Sequence, residues 1–207
     1  MLLNVESRTL PAIGELANEM LGLDGERLAT FEAARTLSLP VWKRTNLGNF
    51  DLNQLRPVFG SAEIETTATG VYVADLQTAL VERPEVLAQY ANQAVEARFN
   101  TYTAYNAALG RDGVVVHVPR NIEVDAPIRV RYRLPEGGTV IFPRTLVIAE
   151  ENSRVTVIEE FVSDDLESVG VVVPVAEIIS KPGARVQFMS LQTLGKGGYL
   201  FGAQAAQ

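Results

Sequence analysis

The chain has 207 residues, 47 % of them hydrophobic and 21 % charged, which is enough apolar material for a core in one large domain or two small ones. With 18 basic against 25 acidic residues the net charge is −7, which argues against the basic stripe that binds nucleic acid or an anionic membrane surface. There is no cysteine, so no disulfide, thiol nucleophile or thiolate metal site can be built from these residues. The N-terminus MLLNVESRTL has no signal-peptide pattern and no stretch reaches the roughly 20 apolar residues of a membrane span, so the chain reads as cytoplasmic.

Taken in order, residues 1–8 are a lead-in, and Thr9 and Pro11 open a first predicted helix with Ile13, Leu16, Ala17, Met20 and Leu21 at helical spacing. Gly22, Asp24 and Gly25 break it. A second helix is predicted from about Glu26 to Leu37, with Leu28, Phe31, Ala34 and Arg35 on its inner edge, and Pro40 ends it. The two helices read as an amphipathic pair packing on itself. Trp42, the one tryptophan, is expected to anchor the following irregular segment to the core. Residues 48–69 read as a loop with one or two short strands. Gly70–Leu76 reads as a strand ending in a helix cap at Asp75, with a short helix after it. Pro84 starts another helix, which the pattern carries through Phe99 to Leu109, with Gly110 as its C-terminal cap.

From Arg111 the pattern changes to short strands broken by corners. Val114, Val115, Val116 and Val118 are β-branched and favour a pleated surface, and Pro119 ends that strand. Ile128, Val130 and Tyr132 then alternate with Arg129, Arg131 and Arg133, which predicts one apolar and one basic face. Further strands are predicted at Thr139–Ala149, Arg154–Phe161, Val171–Ile179 and Ala184–Leu191. An offset of 31 positions superposes Arg154-Val155 and Val157-Ile158 on Arg185-Val186 and Phe188-Met189. The same offset lays Val147-Ile148 on Ile178-Ile179 and the turn Glu151-Asn152 on Pro182-Gly183. A period of this kind in a strand-rich segment indicates stacked coils, as in a parallel β-helix. An antiparallel sandwich is the structural alternative, and the lack of Asn-Gly or Asp-Gly hairpin turns after Gly113 favours the coils.

Several of these stretches resemble one known family in one order. GVVVHVPRNIEVDAPIRVRY is similar to the start of the core domain of the SufB/SufD family, scaffold subunits of an iron–sulfur cluster assembly machine. RLATFEAARTLSLPVWKRTNL resembles the family's N-terminal Leu-Pro and Trp motif, departing from it at Pro40 and Val41, where the family has an acidic pair. Gly70–Leu76, Ala79-Leu80, Arg83-Pro84-Glu85 and the run from Phe99 to Ala108 follow the family pattern as well. The resemblance covers nearly all of this chain but only the first half of the family's length. It implies an α+β chain, with a mainly helical region over 1–110 and the first part of a right-handed parallel β-helix over 111–207, incomplete at its C-terminal end. It also implies pairing with a second β-helix subunit and with an ABC-type ATPase, SufC, in the cytoplasm.

The candidate chemistry is sparse. His117, the single histidine, falls on a strand opposite Val116 and Val118 with no neighbouring ligand in sequence, so it is read as a lateral strand histidine and not as a metal site. Glu150-Glu151 and Glu159-Glu160 are acidic pairs of the kind a glycosidase uses, but a turn and a strand end make solvated charge the ordinary reading. Asp164-Asp165 with Glu167 lacks the glycine-containing ligand loop of a calcium site. Arg129, Arg131, Arg133 and Arg154 are expected to form a surface network, and Gly195-Lys196-Gly197-Gly198 lacks the following helix of a phosphate loop. No catalytic, cofactor-binding or metal residue is therefore assigned. The chain is expected to be no enzyme and to bind no cofactor of its own. Instead it would serve as a scaffold, SufD-like rather than SufB-like because it has no cysteine. The alternative is a polysaccharide lyase or hydrolase on a parallel β-helix. The last strand carries Val186, Phe188 and Met189 with only a Gly-rich tail, Leu194–Gln207, after it, so self-association through the C-terminal edge is expected.

Overall fold

In the computed structural model the described residues are 10–16, 23, 25–40, 50–60 and 62–207; Trp42 and its neighbours lie outside them. Among the described residues the helices are α1 (Gly25–Ala34), α2 (Leu76–Glu82), α3 (Pro84–Tyr90) and α4 (Thr101–Leu109). The strands before the coils are β1 (Arg56–Pro57), β2 (Ala62–Glu65) and β3 (Tyr72–Asp75). The first coil is β4 (Gly113–Val118), β5 (Ile128–Arg133) and β6 (Thr139–Ile141). The second is β7 (Arg144–Ala149), β8 (Arg154–Val162) and β9 (Gly170–Val172). The third is β10 (Val175–Ser180), β11 (Arg185–Thr193) and β12 (Gly198–Leu200), and β13 (Ala203–Ala206) begins another pass.

Successive coils pair in parallel and build three sheets, ordered β13-β10-β7-β4-β3, β11-β8-β5-β2 and β1-β6-β9-β12. The sandwich alternative is thereby excluded and the β-helix is the fold. The 31-residue offset is the hydrogen-bonded register: Arg154 faces Arg185, Val157 faces Phe188, and Val147 faces Ile178. The N-terminal edge of the first coil is covered, since β2 and β3 pair antiparallel with β5 and β4, and β1 pairs in parallel with β6.

The burial of each sheet follows from what lies on its outer face. The β5 strand alternates buried and exposed, because Arg129, Arg131 and Arg133 meet solvent while Ile128, Val130 and Tyr132 fill the lumen. The β7 strand is buried along its whole length, because α2 and α3 lay Leu76, Ala79, Val86, Leu87 and Tyr90 over Val115, Leu146, Ile148 and Ile179. On the third sheet, α1 and α4 pack over Val140, Phe142, Val171 and Val173, with Phe31 edge-on to Tyr105 at 6.0 Å between centroids. Full burial of one such aliphatic or aromatic side chain contributes about 1.5–3 kcal/mol.

The structure corrects the helical reading in three places. Ile13–Glu15 is a single 3-10 turn and Leu16 is already extended; residues 17–22 lie outside the described set. The second helix closes at Ala34, and it packs on α4 across the chain; Arg35 donates to the Leu16 carbonyl at 2.7 Å and its guanidinium sits 4.7 Å from the Phe31 centroid. The long helix expected from Pro84 to Leu109 is two helices. Ala91 is extended and Asn92 is left-handed at φ 65°, and Asn100 then starts α4 with a capping box. The Asn100 Oδ1 accepts from the Tyr102 and Thr103 amides, and Thr103 Oγ1 accepts from the Asn100 amide. The predicted cap at Asp75 is present, with the carboxylate accepting from the Thr78 amide at 2.9 Å.

Candidate functional site

The acidic pair at the end of the β8 alternation divides between two environments. Positions 155, 157, 159 and 161 point into the lumen, so Glu159 is 3 % exposed among Val155, Val157 and Phe161. The strand runs on to Val162, and solvated charge is the wrong description of this residue. Its Oε1 accepts from Thr145 Oγ1 at 2.8 Å and its Oε2 from Ser190 Oγ at 3.3 Å. Tyr132 Oη meets Thr145 Oγ1 at 3.2 Å, so four polar groups form one chain across three coils of an otherwise apolar lumen. Burial pushes the Glu159 carboxyl up to about 7, against the lowering effect of the two hydroxyls, and it raises the Tyr132 phenol well above its ordinary range.

Glu160 faces outward and accepts from Arg131 at 2.8 Å; Arg131 also stands 4.0 Å from Glu63 on β2. Arg133 lies 3.7 Å from Asp164, and Arg154 pairs with Glu123 at 2.9 Å. Of the four arginines expected to form a surface network, Arg131, Arg133 and Arg154 are thus each in a surface ion pair, and Arg129 is exposed in the same row of β5. Asp165 Oδ1 accepts from the Lys196 amide at 2.8 Å, and among the described residues no group of three or more metal-ligating side chains occurs. The glycine run serves close stacking of turns: a Cβ on Gly195 would lie 2.3 Å from the Asp164 carbonyl oxygen.

Two pairings join residues that the sequence shows far apart. His117 lies on the outer face of β4 as expected, but Glu150 from the next coil meets its Nε2 at 3.1 Å. Arg144 and Glu177, on the outer faces of β7 and β10, form an ion pair that is 8 % and 0 % exposed at the side chains. The Glu177 carboxylate also accepts from the amides of Asn92, Ala94 and Val95, and so fixes the segment between α3 and α4 to the solenoid. Asn106 adds a second tie, donating to the carbonyls of Pro143 and Val173 at 2.8 Å each.

Among the described residues, β11, β12 and β13 have no strand on their far side. Leu191 and Tyr199 are exposed there, and Val186, Phe188 and Leu200 of the lumen are only partly covered. The backbone groups of these strands on that side form a ready template for a further strand.

Two family models match in succession. Residues 58–130 match the SufBD protein N-terminal region, and residues 132–207 match the SufBD core domain of the SUF system for iron–sulfur cluster assembly. The chain is 30 % identical over 135 residues to an iron–sulfur cluster assembly SufBD family protein of Staphylococcus saprophyticus, covering 65 % of this chain and 29 % of that one. It is 27 % identical over 188 residues to such a protein of Synechocystis, covering 85 % and 38 %. A third, from Trieres chinensis, is 26 % identical over 188 residues, covering 88 % and 37 %. The chain therefore spans between 29 % and 38 % of the length of these curated relatives. With both family models matched in order across 58–207, and the parallel coils of the core in place, this chain belongs to the SufB/SufD family.

Proposed function

We propose that the chain is a non-catalytic, SufD-like scaffold subunit of a cytoplasmic iron–sulfur cluster assembly complex, pairing with a SufB-like subunit and an ABC-type ATPase of the SufC kind. The observation that carries this reading is the stack of parallel coils on which both SufBD family models match in order across 58–207. The 207 residues hold no cysteine, so thiolate ligands to a cluster would come from other chains or from residues outside these. The polysaccharide-lyase alternative requires carboxylates facing an outer cleft; Glu159 faces the lumen and Glu160 is engaged by Arg131.

Affinity purification of the natural gene product from its own cells tests the assignment. A second β-helix subunit and an ABC-type ATPase are expected to co-purify, and recovery of neither would remove its support. In this reading the chain carries no cofactor, so anaerobic incubation with iron and sulfide should give no stable coloured product. A stable brown 1:1 species would overturn that part.

A further inference from the structure

A cleft of about 690 Å³ opens beside β3 and β4, between the Gly70–Tyr72 backbone and the corner after β4. Among the residues lining it, Arg83 holds its guanidinium over Tyr72, with the guanidinium carbon 4.1 Å from the ring centroid. Tyr72 is itself held by a hydrogen bond from its hydroxyl to Glu82 at 3.0 Å. Arg83 joins α2 to Pro84 at the start of α3, so its backbone is fixed from both sides, and among the described residues it makes no ion pair. Arg120, from the corner after β4, also lines the cleft; it is 67 % exposed and gives one nitrogen to Glu151 at 2.7 Å. The His117–Glu150 pair lines the cleft as well, and its 3.1 Å contact turns that carboxylate oxygen toward the imidazole.

In a chain of net charge −7, two guanidinium groups from separate elements face one cleft here, with donors to spare. The volume is that of a small-molecule site. A guanidinium fork matches phosphate geometry, and a planar group can stack on its free face. We propose that this cleft binds a phosphate group, held between Arg83 and Arg120. The phosphate is either free or carried by a small organic molecule that stacks on Arg83.

His117 is the one histidine of the chain and lines the cleft, so its imidazole signals in a nitrogen-correlated NMR spectrum report on the site without ambiguity. The full chain is titrated at fixed pH with inorganic phosphate and with phenyl phosphate, against sodium chloride at matched ionic strength. A saturable shift with the phosphates and none with chloride is expected. Arg83→Ala and Arg120→Ala should each weaken binding about tenfold, the loss of one charge-assisted contact. Tighter binding of phenyl phosphate would identify an organic phosphate stacked on Arg83, and equal binding a site for the free ion. Non-saturating shifts that chloride reproduces would overturn the proposal. So would saturation unchanged in Arg120→Ala, an exposed position whose replacement leaves the fold intact.

Discussion

Replacing Glu159 by Gln separates the buried acid's charge from its shape. Gln keeps an acceptor for Thr145 and offers a donor to Ser190, so the hydrogen-bond chain survives. The wild-type carboxyl titrates near 7 in the fold against an ordinary 4.5. The folded state thus favours the protonated form. Stability from this group is complete below pH 4.5, falls between pH 4.5 and 7, and is lost above 7. A difference of about 2.5 pH units corresponds to roughly 3 kcal/mol at 1.36 kcal/mol per unit. Urea unfolding followed by circular dichroism at pH 4, 6 and 8 reads this as a difference between proteins. Wild type and Glu159→Gln should agree at pH 4, and the variant should be more stable by about 3 kcal/mol at pH 8, a gain of roughly 6–12 °C in Tm. Glu160→Gln, one residue on but exposed, should track the wild type. Parallel pH dependence of wild type and Glu159→Gln would refute the argument, because it would mean the lumen is wet enough to hold the charge.

Glu177→Gln should destabilise by about 3–5 kcal/mol, since it leaves Arg144 buried without a counter-ion, and hydrogen exchange should show residues 92–95 released first. Gly183→Ala should cost about 1–3 kcal/mol in thermal unfolding, because the position is left-handed at φ 76° and the new Cβ would lie 2.3 Å from Asn152 Oδ1. Sedimentation over a concentration series should show the 207-residue chain self-associating through the β11–β13 edge, and Phe188→Glu should return it to monomer.

The strand half of the fold was legible because its side-chain rows are regular. The alternation at Ile128–Arg133 marked the sheet left open to solvent, and the unbroken runs VVVHV and LVIA belong to the sheet that α2 and α3 cover. The break at Ala91–Phe99 was not legible, because its cause is the distant Glu177 carboxylate capturing three backbone amides. The lumenal position of Glu159 was written in the parity of β8, where it shares a face with Val155, Val157 and Phe161; the apolar company outweighs the charge in placing it. The contact of His117 with Glu150 could also have been found from the 31-residue offset, which lays His117 on Ile148 and leaves Glu150 one step along the same outer face. The Arg83–Arg120 cleft carried no such signal, since it draws on a helix junction and a corner with no common period.

The register also says where this molecule can be cut and lengthened. Between coils the offset is 31 for Val140 and Val171 but 28 for Gly170 and Gly198, and the difference is taken up in the turn from sheet to sheet, Ser163–Val169 in one coil and Leu194–Gly197 in the next. At the opposite corner Asn121, Asn152 and Gly183 recur every 31 residues, all left-handed; past it the first coil carries two more residues before Ile128, where the offset is 29, a change that keeps parity where one added residue would reverse lumen and surface for the strand that follows. Ser163–Val169 is therefore the seam at which a peptide tag or a fluorophore-bearing loop can be spliced into a coil while every row of side chains stays in line.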